Sequence, residues 1–349
     1  MNNALLASPT TALTGTRYLY RSRMAFSPTL ALLKTLRLTF VLVAASILGS
    51  VVAQDARLLI LKGDSLLRLE KPQRAMEYFD QAVKSDGSAN NLLARARAWY
   101  MMDRMDRFLV DVDAALRKDS TSANAHYQRG LYALRVEDPT KAEEHATRAH
   151  DLAAQPLLKA QALILRGEAR SELKSYPAAI DDLEKGIAGT QTDPEVLKIL
   201  GRLYDQEGRH EDALHVLEQL CAIEPGQVGH WSNRGFELTM LGRYDEAMTM
   251  IEQALAIDKD EPVALSNRAY CNLMLNHEKE AWSDVERSLR SYPANPFALR
   301  TRAMLRIRKG ERAKACEDLT IAKALGGVPE VERLVKENCD TSPAPKKEK

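Results

Sequence analysis

A unit of about thirty-four residues recurs eight times between Ala56 and Pro329, and nothing else in this chain restricts its fold as strongly. One slot of the unit holds a small residue every time: Gly63, Ala96, Gly130, Gly167, Gly201, Gly235, Ala269 and Ala303. Twelve residues later a second slot is small in all units but one: Ala75, Phe108, Ala142, Ala179, Ala213, Ala247, Ala281 and Ala315. Successive units start thirty-four residues apart, except for one unit shorter by a residue and one longer by three.

Two small slots set among larger apolar residues describe two helices pressed together. Helix axes approach to about 8–10 Å only where the contacting side chains are small. Leu59, Leu92, Leu163, Leu197, Trp231, Leu265 and Leu299 recur on the first helix; Phe79, Val112, Leu183, Leu217, Ile251, Val285 and Leu319 recur on the second. Turns separate the two, at Glu70-Lys71-Pro72, Glu207-Gly208-Arg209, Leu241-Gly242-Arg243 and Lys309-Gly310-Glu311. Glycine ends a helix cheaply because it accepts the left-handed conformation. Between units stand Glu224-Pro225-Gly226, Asp260-Glu261-Pro262 and Ala294-Asn295-Pro296, where proline at a helix start removes only an unpartnered N–H.

The set Trp231, Gly235, Ala247, Ile251 and Ala254, with the unit Leu197…Leu200-Gly201-Arg202-Leu203-Tyr204…Ala213…Leu217…Pro225, resembles the tetratricopeptide repeat (TPR). The fifth and sixth units fit best. The second carries Phe108 in place of alanine, and the seventh and eighth carry Asn272 and Arg306 where an aromatic or leucine is usual. The resemblance implies an all-α chain: a right-handed superhelical solenoid of about eight helix pairs over 56–329, with a concave groove lined by the first helices. It also implies a protein or peptide partner rather than catalysis. No unit buries its apolar face alone, so the stack is the folding unit and its last face needs a cap. Residues 330–340 fit a polar capping helix, and 341–349 are too polar to pack and are expected to be disordered.

Residues 1–53 hold five basic side chains (Arg17, Arg21, Arg23, Lys34, Arg37) and no acidic one. From Leu38 to Gln54 the chain is uncharged and mostly apolar, ending in Val51-Val52-Ala53. This is the pattern of a secretory signal cleaved after Ala53. An uncleaved membrane anchor over 38–54 is the alternative, although a spanning helix wants about 20 residues. A mitochondrial presequence fits the missing acids but not the apolar run. Translation starts at Met1 or at Met24. The expected location is the bacterial periplasm or cell envelope. The chain has a net charge of +1, so loss of the segment leaves a mildly acidic −4, a poor match to nucleic acid, which needs a basic stripe.

Cys221, Cys271, Cys316 and Cys339 have no metal-arm spacing. Cys316 falls on the second helix of the last unit and Cys339 on the cap that packs beside it. The ending Ala315-Cys316-Glu317-Asp318-Leu319…Cys339 also resembles that of many exported bacterial repeat proteins. A Cys316–Cys339 disulfide and two separately buried thiols both remain open; burial is the preferred reading for Cys221 and Cys271.

One first-helix slot holds Lys62, Arg95, Arg129, Arg166, Arg234, Arg268 and Arg302, with Leu200 the exception. Sixteen residues on, Asp111, Asp182, Asp284 and Asp318 follow four of these arginines, while the leucine unit has Val216 there. Bidentate Arg–Asp pairs tying the helices of a unit together are expected, since the flat guanidinium fork grips a carboxylate at two points. A basic stripe for an acidic ligand is the competing reading.

The most enzyme-like string, His210-Glu211-Asp212-Ala213-Leu214-His215, spaces its histidines five apart, off one helix face, and reads as two surface histidines. His145 and His150 repeat that spacing. No phosphate loop, dinucleotide turn or nucleophile elbow occurs. No catalytic residue, metal or cofactor is therefore expected. Family resemblance places Lys198, Arg202, Asn233, Phe236, Asn267, Tyr270 and Arg300 along the groove as partner-binding residues. Asn233 with Phe236, and Asn267 with Tyr270, repeat an asparagine–aromatic pair on one helix face. Structural packing is the plainer reading of the same stripe. The clamp that binds chaperone tails in this family is incomplete here: Lys198 and Asn233 match, but Arg202 and Val263 do not. Two roles result: an interaction scaffold, or a non-catalytic subunit of an envelope enzyme or transport assembly.

Overall fold

The computed structural model describes residues 55–190 and 193–339. The amino-terminal segment 1–53 and the tail 341–349 lie outside them. Among the described residues there is no strand, and no helix is long and apolar enough to cross a membrane.

Eight antiparallel helix pairs follow one another. They are α1 (55–68) with α2 (Pro72–Ser85), α3 (Ala89–Met101) with α4 (Met105–Lys118), α5 (Ala123–Arg135) with α6 (Pro139–Leu152), and α7 (Pro156–Glu172) with α8 (Tyr176–Ala188). Then come α9 (Pro194–Gln206) with α10 (His210–Ile223), α11 (Val228–Met240) with α12 (Tyr244–Ile257), α13 (Pro262–Met274) with α14 (Glu278–Ser291), and α15 (Pro296–Arg308) with α16 (Arg312–Leu325). A short cap, α17 (Val331–Asn338), closes the series. The three extra residues of the long unit go into α7, which has 17 residues against 13 in α9.

The small slots do what their size predicts. A Cβ on Gly167 would lie 2.6 Å from Leu183 Cγ, so only glycine lets α7 and α8 meet there. Ala96, Ala269 and Ala303 are fully buried, as are the seven alanines of the second slot. Phe108 is equally buried and finds its room between the rings of Tyr100 and Tyr132, 5.5 and 6.3 Å away.

Every turn within a unit uses one left-handed residue: Glu70, Asp103, Glu137, Lys174, Gly208, Gly242, Asn276 and Gly310. The N–H of the following residue donates back to the last turn of the first helix, as in Lys71 to Leu66 and Glu311 to Arg306. This satisfies carbonyls that a helix end otherwise leaves open. At the helix starts, prolines open α2, α6, α7, α9, α13 and α15, and Asp138, Asp193 and Asn295 accept backbone N–H groups through their side chains.

All four expected Arg–Asp pairs form with two hydrogen bonds each. Arg95 grips Asp111, Arg166 grips Asp182, Arg268 grips Asp284 and Arg302 grips Asp318, with N···O distances of 2.7–2.9 Å. The slots where Asn272 and Arg306 replace an apolar residue are now explained. Both side chains donate to the same buried aspartates, as Arg170 does to Asp182. Where the second-helix aspartate is missing, the arginine turns to the preceding unit: Arg129 to Asp113 and Arg234 to Glu218, each at 3.1 Å.

The cap α17 buries Val331 and Leu334 against the last pair, and Cys316 and Cys339 are joined in a disulfide. Cys221 and Cys271 are free and buried.

Candidate functional site

The first helices of units five to eight wall a cavity of about 750 Å³. Helical spacing builds the wall. Lys198, Arg202 and Asp205 share one face of α9, and His230, Asn233, Glu237 and Met240 share one face of α11. Val263 and Asn267 come from α13 and Phe297 from α15. Gly327 and Pro329, in the loop before the cap, complete the lining.

Five of the seven residues expected to line a groove meet here: Lys198, Arg202, Asn233, Phe236 and Asn267. Their freedom differs. Asn233 is exposed and makes no hydrogen bond among the described residues. Phe236 packs edge-on against Phe297, ring centres 5.6 Å apart, and forms the apolar floor. Arg202 donates to Ser171 Oγ at 2.9 Å. Lys198 is held by Glu195 and Glu224, at 2.8 and 3.2 Å, and Glu195 raises its pKa most. Asn267 is buried and spends its amide on the Ser232 carbonyl, so it ties two units together rather than presenting itself.

Tyr270 and Arg300 stand apart from this wall. Arg300 is only 4% exposed, and its guanidinium stacks 4.0 Å above the Tyr270 ring. Burial lowers its pKa, and it has no carboxylate or hydrogen-bond partner among the described residues. Its charge rests on the face of the aromatic ring. The Tyr270 hydroxyl donates to Glu330 at 3.2 Å, which draws the cap's leading loop toward the first helix of unit seven. Burial pushes the Tyr270 hydroxyl up to about 12.

Two acidic wall residues, Asp205 and Glu237, went unread in the sequence, and His210, read there as a surface histidine, joins them. His210 opens α10 half-buried, its Nδ1 2.8 Å from Glu237 Oε2, while His215 is exposed and bonded to Gln219. The two histidines are therefore not an equivalent surface pair. Glu237 is 3% exposed, and burial raises its carboxyl to about 7; burial also raises Asp205. Glu237 stands four residues from Asn233, the interval that marks a shared helix face. His145, paired above only with His150, instead faces His126 with their Nδ1 atoms 3.0 Å apart.

A stack of two-helix units with this turn, these small slots and a first-helix wall is a superhelical repeat of the tetratricopeptide type. Family models of the tetratricopeptide repeat match residues 60–123, 127–194, 196–227 and 237–264, more than half of the chain, which belongs to that family. No curated protein matches the chain in sequence. Among solved structures it is similar to PilW, a widely conserved type IV pilus biogenesis factor, with 19% identity over 58% of this chain and 93% of PilW and a TM-score of 0.51. It is also similar to YrrB, described as a TPR protein with an unusual peptide-binding site (17% identity, 54% and 95% coverage, TM-score 0.49). A TPR protein from Parabacteroides merdae aligns over 82% of this chain and all of its own, at 15% identity and a TM-score of 0.43. At these identities the likeness is one of fold.

Proposed function

We propose that the chain is a non-catalytic scaffold that holds a peptide or protein segment in the cavity of units five to eight. The observation that carries this reading is the unspent Asn233 amide beside the Phe236–Phe297 floor, within a cavity of about 750 Å³. An exposed asparagine supplies both a donor and an acceptor to an extended backbone, and an aromatic floor takes an apolar side chain. We propose further that the protein works in the cell envelope, after export directed by its amino-terminal segment. The Cys316–Cys339 disulfide supports this, because such bonds persist in oxidising compartments.

Cross-linking in the native cell, followed by identification of the captured proteins, tests the groove. The Asn233→Ala/Phe236→Ala double variant should lose the capture while keeping its helical circular dichroism. An unchanged catch would remove the groove from the account. A stoichiometric complex that survives purification would instead mark a fixed subunit of an assembly. Fractionation of cells producing the chain tests export: a cytoplasmic, unprocessed product refutes it.

A further inference from the structure

We propose that Asp205, His210 and Glu237 form a binding site for one divalent transition cation of the Zn²⁺ or Mn²⁺ type in the groove wall. The three side chains come from the end of α9, the first residue of α10 and the last turn of α11. One ligand atom from each lies within 4.8 Å of the other two. Around a bound ion with bonds of about 2.0–2.2 Å, such atoms stand roughly 3.3 Å apart. His210 and Glu237 are already inside that spacing at 2.8 Å, and Asp205, within 4.8 Å of both, has the remaining distance to close as the ion binds.

The charge environment supplies an independent reason. Elsewhere this chain neutralises a buried carboxylate with arginine: Asp111, Asp182, Asp284 and Asp318 each receive a bidentate guanidinium. Glu237 is as deeply buried as those aspartates, yet no lysine or arginine pairs with it or with Asp205 among the described residues. A divalent ion would take the place of the proton on Glu237, and the two carboxylates would then supply two negative charges to cancel its own. A single imidazole with two carboxylates suits zinc or manganese better than calcium, which takes oxygen alone. All three residues also line the cavity, so an ion has a path in and its remaining coordination positions face the groove. The assignment does not depend on what peptide, if any, the groove holds.

The test is titration of the chelator-stripped, purified chain with ZnCl₂ or MnCl₂ alone, read by calorimetry, and with CoCl₂, read by visible absorption. One equivalent should bind per chain, and the cobalt complex should show ligand-field bands. Glu237→Gln and Asp205→Asn should each weaken binding at least tenfold, with their helical spectra unchanged. Asp205 is the less buried of the two, so its variant carries the test if Glu237→Gln folds poorly. His145→Ala, at the separate His126–His145 pair, should leave binding as it was. No binding by the parent chain, full binding by Asp205→Asn, or loss confined to His145→Ala would each overturn the site.

Discussion

Units four and five are neighbours, yet they fill the space between their helices by different chemistry. In unit four Arg166 and Arg170 converge on Asp182, which is 1% exposed, with every contact at 2.7 Å. In unit five the slots of Arg166, Arg170 and Asp182 hold Leu200, Tyr204 and Val216, all buried in an apolar cluster. The acidic groups of that region, Asp205 and Glu237, face the groove without an arginine. A carboxylate sealed against guanidinium fastens two helices. A carboxyl buried without one holds its proton to higher pH, as Glu237 and Glu168 do. The difference separates two ways of holding an acidic side chain in the interior.

The sharpest way to break this contrast is Asp182→Asn, which leaves Arg166 without its carboxylate while Arg170 keeps Glu143. It should cost about 3 kcal/mol in denaturant unfolding, because breaking a buried pair leaves a charge uncompensated. Groove binding should not change; a loss of less than about 1 kcal/mol would class the pair with ordinary surface bridges. Glu168 offers the next effect, again as a carboxyl without an arginine partner among the described residues. Burial, with help from the Asp193 charge, raises it from 4.5 to about 7. Between those values the unfolded chain has released a proton that the folded chain still holds, so stability falls as pH rises from about 4.5 to 7. Glu168→Gln should remove about 2 kcal/mol of that fall and match the parent at pH 4. An unchanged pH profile would show that Glu168 is well solvated.

Glycines in the two units sharpen the comparison further. Gly167→Ala should destabilise by about 2 kcal/mol, since the new methyl meets Leu183. Gly201→Ala should stabilise by about 0.8 kcal/mol, because its nearest neighbour, Val216 Cγ1, is 3.8 Å away and alanine is the better helix former. Thermal unfolding of both reports the sign. The smallest net change belongs to the double variant Arg166→Leu/Asp182→Val, which installs unit five's pair in unit four while Arg170 keeps Glu143. It should stay within about 1 kcal/mol of the parent, as apolar replacement of a complete buried pair does.

The fold was largely legible in the sequence because its signals repeat. Two small slots, a turn residue and an Arg–Asp offset of sixteen each recur in register, so each unit checks the others. The left-handed turns at Glu137 and Lys174 were hidden, since these side chains give no hint of positive φ and the helix ends impose it. The groove was half legible. Asn233 and Phe236 follow the helical interval, but Asn267 turned inward because Ser232 of the previous unit offered a carbonyl that sequence spacing does not show. Family resemblance places Arg300 along the groove, and the aromatic face of Tyr270 that lets it be buried lies thirty residues away. The Asp205–His210–Glu237 cluster joins three helices across a unit boundary, so no single-helix period could reveal it.

The covalent link between Cys316 and Cys339 gives the array a direction. Linear stacks unravel from their ends, where a unit has one neighbour instead of two. Among the described residues only the carboxyl-terminal end carries such a staple, so melting is expected to start at α1 rather than at α17. Units five to eight, which hold the cavity, are then the last to lose their shape.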